Sequence, residues 1–300
     1  MASLKEVRIR IASVISTQQI TKAMKMVSAA KLRKAQTAIQ QMRPYADKLN
    51  AMLINILSNL DGDSTTSFGV EREIQSAAMV IITSNRGLAG AFNTNVIKAA
   101  VATINEKYAT QRDNGKLTIV CIGKKGYDFV RRRAEYKNCT ITPDYVEMFN
   151  DLSFDNVKQA AQMLMDGFET KKYDHISVAY SRFRNAGTQF PESVQWLPVE
   201  KLEVLPGEAK KKKHDYIFEP DQATLLEELV PSILQTTFYK CLLDTHASEH
   251  GARMTAMDKA TENANELLKS LNIMYNRARQ AAITTELSEI VSGAAALSNG

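Results

Sequence analysis

His246, Glu249 and His250 form a His-x-x-Glu-His string, the order in which zinc hydrolases hold a metal on two imidazoles and keep a carboxylate as general base. His250, however, falls on an apolar seam position of a long helical repeat, where a cleft and an open coordination site are hard to arrange. The string is therefore expected to bind no catalytic metal. Ser84, Asn85, Arg86, Gly87, Leu88, Ala89 and Gly90 follow a strand-like run and open a helix-like one, the place where phosphates often bind. Neither the dinucleotide fingerprint nor the P-loop spacing is present there, and Gly123, Lys124, Lys125, Gly126 fails the same test, so both are read as turns. No Ser, His and Asp set or close carboxylate pair implies catalysis. The chemistry points to an interaction protein.

The elements that position these residues divide into long ends and a punctuated middle. Ten of the thirteen glycines lie between Gly62 and Gly207, and residues 1 to 61 contain none. Near the C-terminus, Leu243, Ala247, His250, Met254, Met257, Thr261, Ala264, Leu268, Leu271, Tyr275, Ala278 and Ala282 keep a 4,3 spacing, which predicts about 60 Å of helix. In the N-terminal stretch Ala38, Met42, Tyr45, Leu49, Met52 and Ile56 form a similar seam, continued upstream through Met24, Ser28, Lys31 and Ala35, and Pro44 is expected to bend it. Between the ends, Ala77 to Thr83, Leu117 to Ile122 and Ile176 to Tyr180 read as buried strands. Helices are expected at 93 to 107, 124 to 133 and 154 to 170, with edge strands in 189 to 205. The expected fold is α/β: a long antiparallel coiled coil of terminal helices (1–60 and 221–300) and a small Rossmann-like domain (61–220).

Charge follows the same division. Residues 1 to 60 carry ten Lys or Arg against Glu6 and Asp47, a net of +8, while residues 221 to 297 have a net of −4. Opposite charge suits two helices that lie together. No aromatic residues interleave with the basic face of residues 22 to 34, which argues against stacking on bases and so against nucleic acid. The run Lys210 to Lys213 reads as a solvated loop. Cys121, Cys139 and Cys241 are odd in number and far apart, so no disulfide framework is expected. No apolar run reaches the roughly 20 residues of a membrane helix, and Met1 to Arg10 already belong to a helical pattern rather than to a cleavable leader.

Family resemblance enters at the C-terminal helix. Ile283, Thr284, Thr285, Glu286, Leu287, Ser288, Glu289, then after three residues Gly293, Ala294, Ala295 and Ala296, resemble the ATP synthase γ-subunit signature at every fixed position. Thr17 to Lys31 resembles the family's N-terminal block, as do Ala247 to Asp258 and Tyr275 to Ala282. Ser84 to Asn93 resembles its Ser-Asp-Arg-Gly-Leu-Cys-Gly loop, with Asn85 for Asp and Ala89 for Cys. The resemblance implies a non-catalytic rotor shaft, one copy per complex, coupling proton flow to ATP synthesis or hydrolysis on β subunits. It implies no cofactor. Its partners would be the α and β subunits, ε and the membrane c-ring, at the cytoplasmic face of the bacterial inner membrane. Contacts to β would come from Lys22, Met24, Lys25, Lys31, Arg33, Lys34, Arg253, Gln280, Thr284 and Glu286. Tyr216, Phe218 and Glu219 would meet the c-ring and ε, and Leu287, Ile290, Val291 and Leu297 would form an apolar tip in a collar. A coiled-coil adaptor that binds protein or nucleic acid through its basic helix is the alternative.

Overall fold

A computed structural model describes residues 4–59, 67–199 and 222–298. The expected domain limits near 60 and 220, the Lys210 to Lys213 run, and Tyr216, Phe218 and Glu219 lie outside the described residues, as does the Leu297 side chain. Two helices dominate: α1 (Leu4–Asn59) and α6 (Gln222–Ser298). Neither Pro44 in α1 nor Pro231 in α6 interrupts the helix that contains it. Between them come β1 (Ala77–Ile82), α2 (Phe92–Lys107), α3 (Ala109–Asp113), β2 (Leu117–Ile122), α4 (Lys124–Arg132), β3 (Thr140–Thr142), α5 (Phe154–Glu169), β4 (His175–Asn185) and β5 (Thr188–Leu197). The chain separates into two compact units, one of residues 1–28 with 254–300 and one of residues 29–253.

The larger unit is built on a five-stranded sheet in the order β3-β2-β1-β4-β5. β1 pairs parallel with both β2 and β4, β2 pairs parallel with β3, and β5 joins β4 antiparallel. A central parallel strand is covered on both faces, which is why Ala77 to Ile82 is apolar throughout rather than alternating. Side-chain direction still alternates. Ala78, Val80 and Ile82 meet α5 and the first half of α6 through Val157, Leu164, Phe168, Leu234 and Phe238, while Ala77, Met79 and Ile81 meet α2 through Phe92, Val96, Ala100 and Ile104. Each fully buried Leu, Ile, Val or Phe among them contributes about 1.5–3 kcal/mol by leaving water. The expected strands and helices thus form within a residue or two of their predicted limits except at the end of β4, which continues five residues past Tyr180 to pair with β5, and the edge strand expected in 189 to 205 is β5.

Asp174 fixes the start of β4 against β1. Its Oδ2 accepts from the backbone N–H of Gln75 (3.1 Å) and Ser76 (2.9 Å), and its own N–H donates to the Ser76 carbonyl (2.9 Å). Beside it, a neutral chain of side chains closes the bottom of the sheet. Burial lowers the His175 pKa and lifts that of Tyr108 to about 12, so the Tyr108 hydroxyl donates to a bare His175 Nδ1. His175 Nε2 then carries the proton donated to Gln195 Oε1 at 2.8 Å, and Tyr108 accepts from Ser177 Oγ at 2.6 Å.

The turn from β2 into α4 depends on Gly123. Its φ is +96°, a region L side chains rarely adopt, and a Cβ there would lie 2.0 Å from the Thr83 carbonyl oxygen. Gly123→Ala is expected to cost about 3 kcal/mol or more. Gly87→Ala, whose Cβ would meet only the Lys125 Cε at 3.8 Å, is expected to cost less than about 1 kcal/mol. Denaturant unfolding of the two variants checks this, and equal losses would contradict the steric account.

Candidate functional site

In a sheet of this order the direction of strand addition reverses between β1 and β4, and ligands of such folds bind outside the strand C-termini at that point. Here α6 occupies it. The Thr245 hydroxyl accepts from the Ser181 N–H (3.3 Å), Ser248 Oγ donates to the Ser181 carbonyl (3.0 Å), and Arg253 Nη2 donates to the carbonyls of Arg86 (3.2 Å) and Gly87 (3.3 Å). The neighbouring N-terminus of α4 is equally committed. Lys124 N–H goes to Asn85 Oδ1 (3.2 Å), Lys125 N–H to the Ser84 carbonyl (3.1 Å) and Gly126 N–H to Thr83 Oγ1 (2.8 Å). Ser84 N–H is taken by Asn93 Oδ1 at 2.9 Å. The donors that would cradle a phosphate are spent within the chain, so Ser84 to Gly90 and Gly123 to Gly126 act as turns.

The His-x-x-Glu-His string sits on the same stretch of α6, and its groups bond to one another. Arg253 Nη1 donates to Glu249 Oε1 at 2.6 Å, both side chains being 9% exposed, and to His250 Nδ1 at 3.3 Å. An arginine only donates, so His250 Nδ1 is bare and its proton is on Nε2. That proton points to His246 Nε2, 3.1 Å away, which accepts it. Both nitrogens a metal would use face each other, and the would-be general base is held by a guanidinium. His246 lies off the seam, where an exposed face is expected. It is instead half-buried and stacked on Phe149, with centroids 5.9 Å apart, because α6 is enclosed here rather than packed along a single seam. Burial, with Lys31, Arg253 and Lys34 adding repulsion, lowers the His246 pKa to about 4; burial, His246, Arg253 and Lys31 lower that of His250 to about 3. Burial raises the Glu249 pKa, against the pull of Arg253, Lys31 and Arg86.

The smaller unit contains an antiparallel helix pair whose register is fixed by four contacts. Arg8 Nη2 donates to the Tyr275 hydroxyl (3.1 Å), Gln18 bonds to Asn265, the Thr21 and Thr261 hydroxyls meet at 2.8 Å, and Lys25 Nζ reaches Asp258 Oδ1 at 2.5 Å. Thr21 and Thr261 are buried and each lies within reach of a carbonyl of its own helix, so one hydroxyl donates across while the other donates to its backbone. The Lys25–Asp258 pair is about half exposed and contributes roughly 0–1 kcal/mol. Continued at this register, Leu4 lies opposite about Arg279. From Gln280 onward α6 has no α1 residue beside it among the described residues, and the side chains from 281 to 294 are exposed.

The expected N-terminal seam needs correction. The stripe α1 buries runs through Val7, Thr21, Ser28, Leu32, Ala35, Ile39 and Leu49, with Leu4, Ile11 and Val14 half-buried. Lys31, Tyr45 and Met52, placed on the seam by spacing, are exposed, and Ala38 and Met42 are only half-buried. The C-terminal seam is buried or half-buried from Leu243 to Ala278 and stops there, Ala282 being exposed.

Of the residues that the resemblance brought forward, Lys22, Lys31, Arg33, Lys34, Gln280, Thr284 and Glu286 are exposed, while Met24 and Lys25 are half-buried. Leu287, Ile290 and Val291 are 57%, 68% and 66% exposed, large for apolar side chains. Arg253 is different: it is 7% exposed and its guanidinium is used inside the chain. Thr245, Ser248 and Glu249, with Arg253, form the polar stripe that closes the sheet end. Spacing does not single it out, because Asp244, His246 and His250 lie among these residues and the stretch is polar on more than one face.

The family described as ATP synthase matches residues 3–297. The ATP synthase gamma chain of Cytophaga hutchinsonii is 51% identical over 299 residues, covering 100% of both chains, and that of Flavobacterium psychrophilum is 50% identical, covering 99% of each. A chain in the cryo-EM structure of the Euglena gracilis mitochondrial ATP synthase OSCP/F1/c-ring superposes with a TM-score of 0.66 at 24% identity, over 98% of this chain and 94% of that one.

Two measurements test the site. The histidines fold neutral with pKa values below the ordinary 6.5, so their contribution to stability is present above that value and is lost as pH falls toward about 4 and about 3. Glu249, shifted upward, has the opposite sign and acts nearer the carboxylate range. Thermal stability is expected to fall between about pH 6.5 and 5, by up to about 1.4 kcal/mol per pH unit for each proton. His246→Gln with His250→Gln should flatten that slope, and an unchanged slope would refute the neutral pair. For the register, cysteines at Thr21 and Thr261 should form a disulfide on mild oxidation and cysteines at Thr21 and Leu268 should not; equal yields would mean no fixed register.

Proposed function

This chain belongs to the ATP synthase γ-chain family, and from that premise we infer that it is the non-catalytic central shaft of a rotary ATP synthase. Its α and β partners form the catalytic hexamer around the helix pair, and ε and the membrane c-ring meet the α/β unit. Among the described residues no helix is long and apolar enough to cross a membrane, which suits a peripheral rotor subunit at the cytoplasmic face of the inner membrane. The observation that carries this reading is the helix pair with its unpaired extension. A globular interaction domain has no use for apolar Leu287, Ile290 and Val291 held out on a lone helix, whereas a rotor tip needs an apolar surface that slides inside a collar without directional bonds.

The mechanism is mechanical. An asymmetric shaft presents a different face to each of three β subunits, and its rotation changes their nucleotide affinities in turn. Contacts to β come from the exposed cations Lys22, Lys31, Arg33 and Lys34, from Met24 and Lys25 beside them, and from Gln280, Thr284 and Glu286 on the extension. Surface ion pairs of this kind contribute about 0–1 kcal/mol each and are screened by salt, so they guide the shaft without locking it. Arg253 contributes at one remove, holding the Arg86–Gly87 backbone in place. The chain itself carries no reaction step.

Met24 tests the moving contact because it is half-buried next to Lys25, which is already paired to Asp258. Met24→Lys adds a second cation beside Lys25, which already holds Asp258, and on this reading the new cation pairs with an acidic group of β. A partly desolvated, charge-assisted pair of about 1.5–3 kcal/mol would have to break at each step. In the assembled complex the variant is expected to bind nucleotide normally and to lose ATP-driven proton pumping more than ATP hydrolysis. An equal loss of both activities would place Met24 in ordinary packing.

A further inference from the structure

At the N-terminal ends of the strands, far along the sheet from the α6 joint, a cleft of 560 Å³ has Arg72, Lys116, Lys171 and Lys172 in its lining together with Glu73 and Asp174. Its cations come from three different segments: before β1, before β2 and after α5. The strand register places Ser76 between Lys116 and Asp174, so neighbouring backbones are about 5 Å apart and the long side chains reach a common point. The backbones of Lys116 and Lys172 and the side chain of Arg72 are held in place. Ala77 N–H donates to the Lys116 carbonyl (3.1 Å), Ser76 Oγ donates to the Lys172 carbonyl (2.7 Å), and Arg72 Nη1 donates to the Phe168 carbonyl (3.1 Å) while its guanidinium lies over the Phe168 ring at 4.7 Å.

None of the four cations forms an ion pair among the described residues. Two carboxylates share the cleft with them: Glu73, and Asp174, whose Oδ2 accepts from the N–H groups of Gln75 and Ser76, so the cations outnumber the acids four to two. Lys171 adds an observation of another kind. α5 ends in a Schellman arrangement, Lys172 N–H to the Gly167 carbonyl (2.8 Å) and Lys171 N–H to that of Phe168 (3.1 Å), with Lys171 at φ +60°. That position favours glycine, and a side chain there is strained. Attraction to the C-terminal end of the α5 dipole accounts for a lysine near this turn, but neither for one at its left-handed residue nor for Lys116 on another element.

We propose that this cleft binds a phosphoryl anion, with Arg72, Lys116, Lys171 and Lys172 surrounding the charge from three sides and Ser76 and Thr118 as neutral neighbours. A tetrahedral phosphoryl group, whether free phosphate or a phosphodiester headgroup, presents oxygens in several directions at once, which cations converging from separate segments match better than they match a planar carboxylate. The anion is either free phosphate or pyrophosphate in solution, or the headgroup of an acidic phospholipid.

Full-length chain is titrated with inorganic pyrophosphate, and separately floated with vesicles of phosphatidylcholine with or without about one-third phosphatidylglycerol. Saturable pyrophosphate binding identifies the free anion, and flotation confined to phosphatidylglycerol vesicles identifies the headgroup. Lys116→Gln with Lys172→Gln is expected to weaken whichever interaction is seen by about tenfold or more. Lys171→Gly should weaken it too while raising the melting temperature, since glycine relieves the left-handed strain. Opposite signs for binding and stability separate loss of a site from damage to the fold. Binding unchanged in these variants, or no interaction in either arm, overturns the proposal, and flotation equal with and without phosphatidylglycerol overturns it as well.

Discussion

One buried ion pair governs how the rest of the α/β unit is closed. Glu249 and Arg253 are both 9% exposed, and burying either charge alone would cost several kcal/mol, so each is tenable only because of the other and of the carbonyls that complete the Arg253 guanidinium. That requirement brings α6 across the end of the sheet. Once there, Thr245 and Ser248 satisfy the Ser181 backbone, which the sheet ladder leaves open, and the crevice that other folds of this order use for a nucleotide is filled by the protein itself. A scaffold known for binding cofactors has thereby become an anchor for a helix.

Surroundings change steeply along that helix. Between Cys241 and Arg253, α6 is buried on nearly every side, and polar residues occur inside it because the sheet end offers them partners. Beyond Met254 it keeps only one buried stripe, on which the small or polar Thr261 and Ala264 separate Met257 from Leu271, and Thr21 lies opposite Thr261. Small residues let two helices approach closely but bury little area per turn, so the pair is specified less by apolar burial than by the hydroxyl contact and the polar contacts flanking it.

What was legible in the sequence follows from these environments. Strands covered on both faces leave continuous apolar runs, and β1, β2 and β4 could be read directly. The C-terminal seam was legible for the same reason, since Leu and Met recur on it often enough to set the phase. The N-terminal seam is off by one residue at Lys31 because its spacing is phased from Ala38, Met42 and Tyr45, and carried upstream that phase lands beside the more apolar Leu32 and Ile39, which the helix actually buries. The His-x-x-Glu-His string shows a different limit. Its spacing fixes which side chains share a helix face, but only tertiary structure brings Arg86 and Gly87 to Arg253 and so converts a possible metal site into a closed neutral pair. Asp174 and the Tyr108–His175 chain left no local trace, because their partners are remote in sequence.

The unpaired stretch of α6 has a mechanical meaning. Two helices bound side by side resist bending and twisting together far more than one does, since deformation must shear the contacts between them. Beyond Gln280 no described residue of α1 lies alongside α6, and about 18 residues of the helix, roughly 27 Å, continue without that reinforcement among the described residues. When torque is applied across such a rod the angular strain collects in its thinnest section. A section twists only under torque that passes through it, so in a rotor shaft the extension would be strained only as far as its outermost grip on the surrounding subunits, and an apolar end that slides freely past that point would turn unloaded.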